Sequence, residues 1–288
     1  MAQEYASQKP KDYSNHVKKV AVVGVTGQVG SHIVEHLLKN GKHEVTAITR
    51  KDGSAILPDG IKVSKVDYSE SSTLVDALRG QDALIITLSV LAPQDTQSKL
   101  IEAAAAAEIP WIIPNQWGSN PDEKEMSQDK VTFYDDGQTK INTTTWPQCG
   151  RAIANLLALK VLPEDEKDES PTLSQFKNET IYISSFLISQ KDMFESVLRV
   201  TGGAADHWTI SYQPSVERYR EGVEAWQKGD MRGFAQAMYA RIFYQDGCGN
   251  YEAKKALHNK LLGLPKEDLD EFTAVAVEMA KADFLNKG

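Results

Sequence analysis

Three glycines, Gly24, Gly27 and Gly30, follow the β-branched run Val20-Ala21-Val22-Val23 and open a stretch of helical periodicity. A strand, a glycine turn and a helix in that order form a cradle for a dinucleotide pyrophosphate. One glycine permits the tight turn, one lets backbone approach the phosphates, and one lets helix and strand pack closely. Unpaired N–H groups of the first helical turn then face the negative charge. Gly24, Thr26, Gly27, Gln28, Val29 and Gly30 are the predicted contacts. Their spacing is G-x-x-G-x-x-G rather than G-x-G-x-x-G, and the competing reading is a glycine turn that holds no ligand.

The next strand sets the cofactor preference. An NAD-binding unit places Asp or Glu about 20 residues on, against the ribose 2′-hydroxyl. Here the strand ends Thr49-Arg50-Lys51, with Arg50 twenty positions after Gly30. Two cations there attract a 2′-phosphate, which Arg grips bidentately. The expected cofactor is therefore NADP(H), against the plainer reading of a solvated loop charge. Asp67-Tyr68 and Thr87-Leu88-Ser89 fall at the ends of later strands, on the rim where such a sheet takes its ligand. Asp67 is expected to accept from the adenine amino group and Leu88 to line the ring.

Other patterns carry less. His32-Ile33-Val34-Glu35-His36 matches H-x-x-E-H, but Ile33 and Val34 belong on a sheet and no further ligand cluster accompanies them, so no metal site is expected. Tyr5 with Lys9 and Tyr251 with Lys255 read Y-x-x-x-K in positions that suit chance. Asp135-Asp136-Gly137 reads as a turn. No catalytic residue is identifiable.

The elements that position these residues alternate. Strands are expected at 20–23, 44–49, 61–66, 82–88 and 111–113, with helices after the glycine turn, over 71–78 and over 99–108. Several strands are apolar on both faces, which means a parallel sheet covered on two sides. The predicted class is α/β, a doubly wound Rossmann-type sheet with a smaller, mainly helical C-terminal region. Residues 1–18 read as a loose tail, 19–160 as the nucleotide-binding domain and 161–288 as the substrate-binding helical region. Within the last, Met193/Val197/Val200, Val216/Tyr219/Val223/Trp226, Phe234/Met238/Ile242 and Leu269/Phe272/Val275/Met279 form helical stripes expected to be core. A cleft between the sheet rim and these helices is expected to hold an apolar ring system.

The chain has 288 residues, 41% hydrophobic and 25% charged, so it can bury a full core. A net charge of −8 argues against counterion-release binding to nucleic acid. No apolar run is long enough to cross a bilayer. Two cysteines make no disulfide framework, and with no visible signal peptide a cytoplasmic setting is expected.

The glycine turn, the Arg50 strand end, Trp111-Ile112-Ile113-Pro114-Asn115-Gln116-Trp117-Gly118 and Gly150-Arg151-Ala152-Ile153-Ala154 together resemble the NmrA-like, isoflavone-reductase-like group of atypical short-chain dehydrogenases. Leu262-Gly263-Leu264-Pro265 and Glu267-Asp268-Leu269-Asp270-Glu271 are similar to its fungal members, some of which serve secondary metabolism. The resemblance implies NADPH-dependent reduction of a small aromatic or polyketide-like compound, with Asn115 bordering the cofactor and Trp117 the substrate. A non-catalytic NADP sensor that binds protein partners, as the NmrA regulators do, is the alternative. In the reductases a lysine on the helix after the fifth strand relays a proton. Here only Ser119 to Lys130, with the single apolar side chain Met126, precede the strand-like Val131-Thr132-Phe133-Tyr134. That length barely permits a parallel crossover, so the chain is expected to be shortened at 119–130, by deletion or by an incorrect gene model.

Overall fold

The computed structural model describes residues 3–89, 92–117 and 130–281. It divides into two compact units, one of Met1–Trp117, Trp146–Ile181 and Asn259–Leu264, the other of Gly118–Thr145, Tyr182–His258 and Pro265–Gly288.

In the first unit β1 (Lys19–Val23), β2 (Glu44–Arg50), β3 (Lys62–Val66), β4 (Ala83–Ile86) and β5 (Trp111–Ile113) make one sheet in the order β3-β2-β1-β4-β5. Every pairing is parallel. The expected doubly wound sheet is present. Alternation along β1 sends Ala21 and Val23 to one face and Val20 and Val22 to the other, and all four are buried. Ala21 and Val23 join Leu74 and Leu78 of α2 (Ser71–Leu78) and Leu100 and Ala103 of α3 (Thr96–Ala106) in one apolar cluster. α1 (Gln28–Asn40) buries Ile33, Val34 and Leu37 and packs on α4 (Trp146–Leu157). Their contact is close because Gly150 has no side chain: a Cβ there would stand 2.4 Å from the His32 carbonyl oxygen. α1 stops at Gly41, which caps it in the left-handed region with its N–H on Leu38.

The N-terminal residues differ from a loose tail. Ala6 donates to the Pro163 carbonyl at 2.9 Å, and the Asn15 side chain exchanges hydrogen bonds with the Leu162 backbone at 2.8 and 2.9 Å. These contacts rest on backbone and one polar side chain, so apolar periodicity does not reveal them. The units also interleave along the chain, so a single division at 160 does not describe the packing.

In the second unit β6 (Lys130–Tyr134) pairs in parallel with β9 (Thr209–Gln213), and β7 (Ile141–Thr143) pairs antiparallel with β8 (Phe186–Ile188). The remaining elements are helices: α5 (Gln190–Thr201), α6 (Ser215–Gln227), α7 (Met231–Ile242) and α8 (Leu269–Lys281). Ser189 and Asp192 cap α5 reciprocally, as their spacing predicts. The stripe on α6 is a correction. Val216 is 61% and Trp226 46% exposed, whereas Ser215 and Gly222 are buried. α6 and α7 meet through small residues, Gly222 against Gly233 and Ala237, so the bulky side chains turn outward. Most of 119–130, the segment expected to be shortened, lies outside the described residues; Lys130 opens β6.

Candidate functional site

β1 leads through α1 to β2 on one side, and the chain returns through α2 to β4 on the other. The carboxyl ends of β1 and β4 therefore flank the topological switch point, where doubly wound sheets take their ligands. Gly24 sits there with φ +80°, a conformation that disfavours any side chain. Gly27 is the N-cap of α1 and donates to the Gly24 carbonyl at 3.0 Å. Val25 is buried and pins the turn, while Thr26, Gly27 and Gln28 are exposed and Val29 half-exposed. No side chain caps the first turn of α1 and no acidic residue lies in it. A helix start without these groups is of the kind that suits an anion. A Cβ on Gly27 would meet only the Gly24 carbonyl, at 3.3 Å, so its outer side is open.

Thr87 ties β4 to this turn. Its hydroxyl lies 2.6 Å from the Val23 carbonyl oxygen and 3.1 Å from that of Gly24, and its N–H donates to Val23 at 3.0 Å. Ser89 is exposed one step beyond half-buried Leu88. Leu88 and Tyr68 both pack on the apolar cluster between the sheet and α2 and α3. Burial pushes the Tyr68 phenol above its ordinary range.

Arg50 ends β2 with a largely exposed side chain, its Nε 4.0 Å from Asp52. Lys51 follows and is already engaged: its Nζ lies 2.8 Å from the Asp67 carboxylate, which also accepts from the Ser69 amide at 2.9 Å and the Ser69 hydroxyl. These bonds, that to Lys51 foremost, hold the Asp67 carboxyl well below the usual carboxylate range. Asp67 is thus committed to the β2 and β3 ends, with its carboxylate oxygens turned to Lys51 and Ser69 rather than left free for adenine.

Beyond β5, Asn115 turns its amide to the Leu88 backbone, accepting from the N–H at 2.9 Å and donating to the carbonyl at 3.3 Å. Trp117 donates from Nε1 to the Ile86 carbonyl at 2.7 Å. Gln97 at the start of α3, which no spacing singled out, accepts from the Asn115 N–H at 2.8 Å. Ser69 and Gln97 are the residues that sequence reading missed. Gln97 meets a partner 18 residues away, which leaves no local mark, whereas Ser69 bonds to Asp67 only two residues back.

Residues 16–142 match the NmrA-like family. A relative from Aspergillus flavus, the oxidoreductase aprR, is 26% identical over 89% of this chain and 97% of its own length. The chain is similar to NmrA-like proteins over this stretch and to a fungal oxidoreductase over nearly its whole length. Among solved structures, isoflavone reductase matches with a TM-score of 0.63 at 16% identity, covering 89% of this chain and 98% of that one. AtPrR2, solved with NADP+ and (+)-pinoresinol, matches at 0.65 and 16%, covering 92% of this chain and all of that one. At such identities these two show a shared fold.

The other patterns in this chain have local explanations. His32 lies 3.4 Å from Glu35 on α1, and burial together with Arg151 pushes the His36 imidazole below its ordinary value. Among the described residues no three His, Cys, Asp or Glu side chains gather as a metal site. Tyr251 donates to the Ile183 carbonyl, and Lys255 stands 6.0 Å from the Tyr182 ring centroid. Asp136 accepts from Gln138 at 2.9 Å within the expected turn. No helix among the described residues is long and apolar enough to cross a membrane.

Proposed function

We propose that this chain is an NADP(H)-dependent oxidoreductase of the isoflavone-reductase type, reducing a small aromatic or polyketide-like compound. The observation that carries the reading is the open glycine turn at the switch point with the Arg50 guanidinium at the neighbouring strand end. When bound, the cofactor supplies the hydride. Gly24 to Gly30 hold its pyrophosphate through backbone amides, and Arg50, with Lys51 shared from Asp67, holds the 2′-phosphate. Thr87, Leu88 and Ser89 border the cofactor at the β4 end, on the nicotinamide side. The sequence suggests the adenine ring for Leu88, but Arg50 draws the adenosine phosphate toward β2 and β3. The names of the relatives support a reductase: oxidoreductase aprR is alike over nearly its whole length. Secondary metabolism, and a cytoplasmic setting suited to an acidic chain with two cysteines, complete the proposal.

A second reading, an NADP sensor without turnover, draws on the short segment 119–130. The alignment with aprR runs over 293 residues, while 89% of this chain is about 256, so the relative carries several tens of residues that this chain lacks. That difference supports a chain shorter than this relative, as the sequence of 119–130 suggests.

Melting with NADPH, NADP+ and NADH tests the site. A ligand at 100 times its Kd adds about 2.7 kcal/mol to the native state, and the two phosphorylated coenzymes should raise the midpoint most. If no coenzyme moves it, the reading fails. Turnover on aromatic enones and quinones then separates a reductase from a sensor.

A further inference from the structure

The side-chain amide of Asn115 occupies the place of the next peptide of β5. The β4–β5 ladder ends at the pair Ile85 and Ile113. Two residues on, the Asn115 oxygen takes the Leu88 N–H at 2.9 Å and its nitrogen meets the Leu88 carbonyl at 3.3 Å. Gln97 fixes the Asn115 backbone at 2.8 Å, and Trp117 holds the Ile86 carbonyl at 2.7 Å. On its other side the same stretch is tied to β1 through Thr87. A carboxamide is the side chain that offers one donor and one acceptor at peptide spacing.

We infer that Asn115 is a positioning residue for the nicotinamide half of the cofactor, acting through Leu88 rather than by touching the ligand. This rests on the coenzyme reading above. The turn that takes the pyrophosphate lies at β1, and Arg50 draws the adenosine phosphate toward β2 and β3. The nicotinamide half must then lie toward β4 and β5, beside the backbone that Asn115 fixes. Removing the amide leaves the Leu88 N–H and carbonyl half-buried without their partner, and the Thr87–Ser89 rim loses its fixed place.

The test compares Asn115→Leu and Asn115→Asp with the parent chain, titrating NADPH and the fragment 2′,5′-ADP, which has the adenosine 2′-phosphate and no nicotinamide. Asn115→Leu should weaken NADPH at least tenfold and 2′,5′-ADP less than twofold, with Asn115→Asp between. Equal losses for both ligands, or none for NADPH, overturn the inference and leave the coenzyme reading standing. A parent chain that binds neither probe overturns both. Hydrogen exchange on the parent chain needs no variant to fold: the Leu88 amide should be as protected as those of β4, and free exchange there overturns the inference.

Discussion

Gly30 lies so close beneath Gly24 that a Cβ on Gly30 would stand 2.1 Å from the Gly24 carbonyl oxygen and 2.7 Å from the Thr87 hydroxyl. The nearest atom is backbone, so no rotamer change relieves the clash and α1 must retreat. Gly30→Ala should cost about 1–3 kcal/mol in denaturant melts and weaken NADPH at least tenfold, because the first turn of α1 moves with it. Gly27→Ala separates the two effects. Its Cβ meets only one atom, at 3.3 Å, so stability should fall by under about 1 kcal/mol while the methyl enters the phosphate cradle and binding is lost. Equal stability for Gly30→Ala and the parent chain would contradict the packing described.

The half that holds the parallel sheet was legible because each of its signals is local. β1 to β5 lie where β-branched and apolar runs placed them, and Gly24, Gly30 and Gly41 mark the turn and a helix end. What escaped depends on register. Lys51 reaches Asp67 because β2 and β3 pair Arg50 with Val66, one step before both residues. Asn115 reaches Leu88 because β4 and β5 end in step. The same holds for β6 with β9 and β7 with β8, whose partners are tens of residues apart.

Coenzyme choice should turn on Arg50. Arg50→Asp should shift preference toward NADH by one or two orders of magnitude, in line with about 1.5–3 kcal/mol for a hydrogen bond to a charged group. Asp67→Asn releases Lys51 from its ion pair, so NADPH should bind a few-fold tighter, and the gain should shrink at high salt as an exposed charge requires. Calorimetric titrations of both coenzymes at two salt concentrations read both effects. If Asp67→Asn leaves NADPH unchanged, Lys51 takes no part in the phosphate site.

The α6–α7 seam reverses what apolar periodicity implied. A Cβ on Gly233 would stand 2.4 Å from the Gly222 carbonyl oxygen, and one on Gly222 would stand 2.6 Å from the Ala237 nitrogen. Periodicity weighs side-chain size, while this contact selects for its absence. Gly233→Ala should therefore cost about 1–3 kcal/mol. Trp226 packs edge-on to Phe234 at 5.3 Å but is half exposed. Trp226→Ala should lose under about 2 kcal/mol, short of the 3–5 typical of a buried aromatic. Denaturant midpoints for the two variants give the comparison, and a loss above 3 kcal/mol for Trp226→Ala would return the stripe to the core.

Acid should loosen α8 before it disrupts the glycine turn. The Asp270 carboxylate, in the first turn of α8, receives Arg199 of α5 through two hydrogen bonds of 2.8 and 2.6 Å and the buried Ser196 hydroxyl at 2.6 Å. Arg199 first, then Ser196, hold its pKa down at about 2 against an ordinary 3.8. A carboxyl group whose native pKa is lowered adds stability fully above the unfolded value and loses it as pH falls through the native one. Asp270→Asn should therefore melt below the parent chain at neutral pH, and the gap should narrow steadily as pH drops from about 4 toward 2. The position at the helix N-terminus works in the same direction, since the amide lacks the charge that the first turn favours. A gap that stays constant between pH 6 and 3 would show that the Arg199 pairing contributes through hydrogen-bond geometry and not through charge.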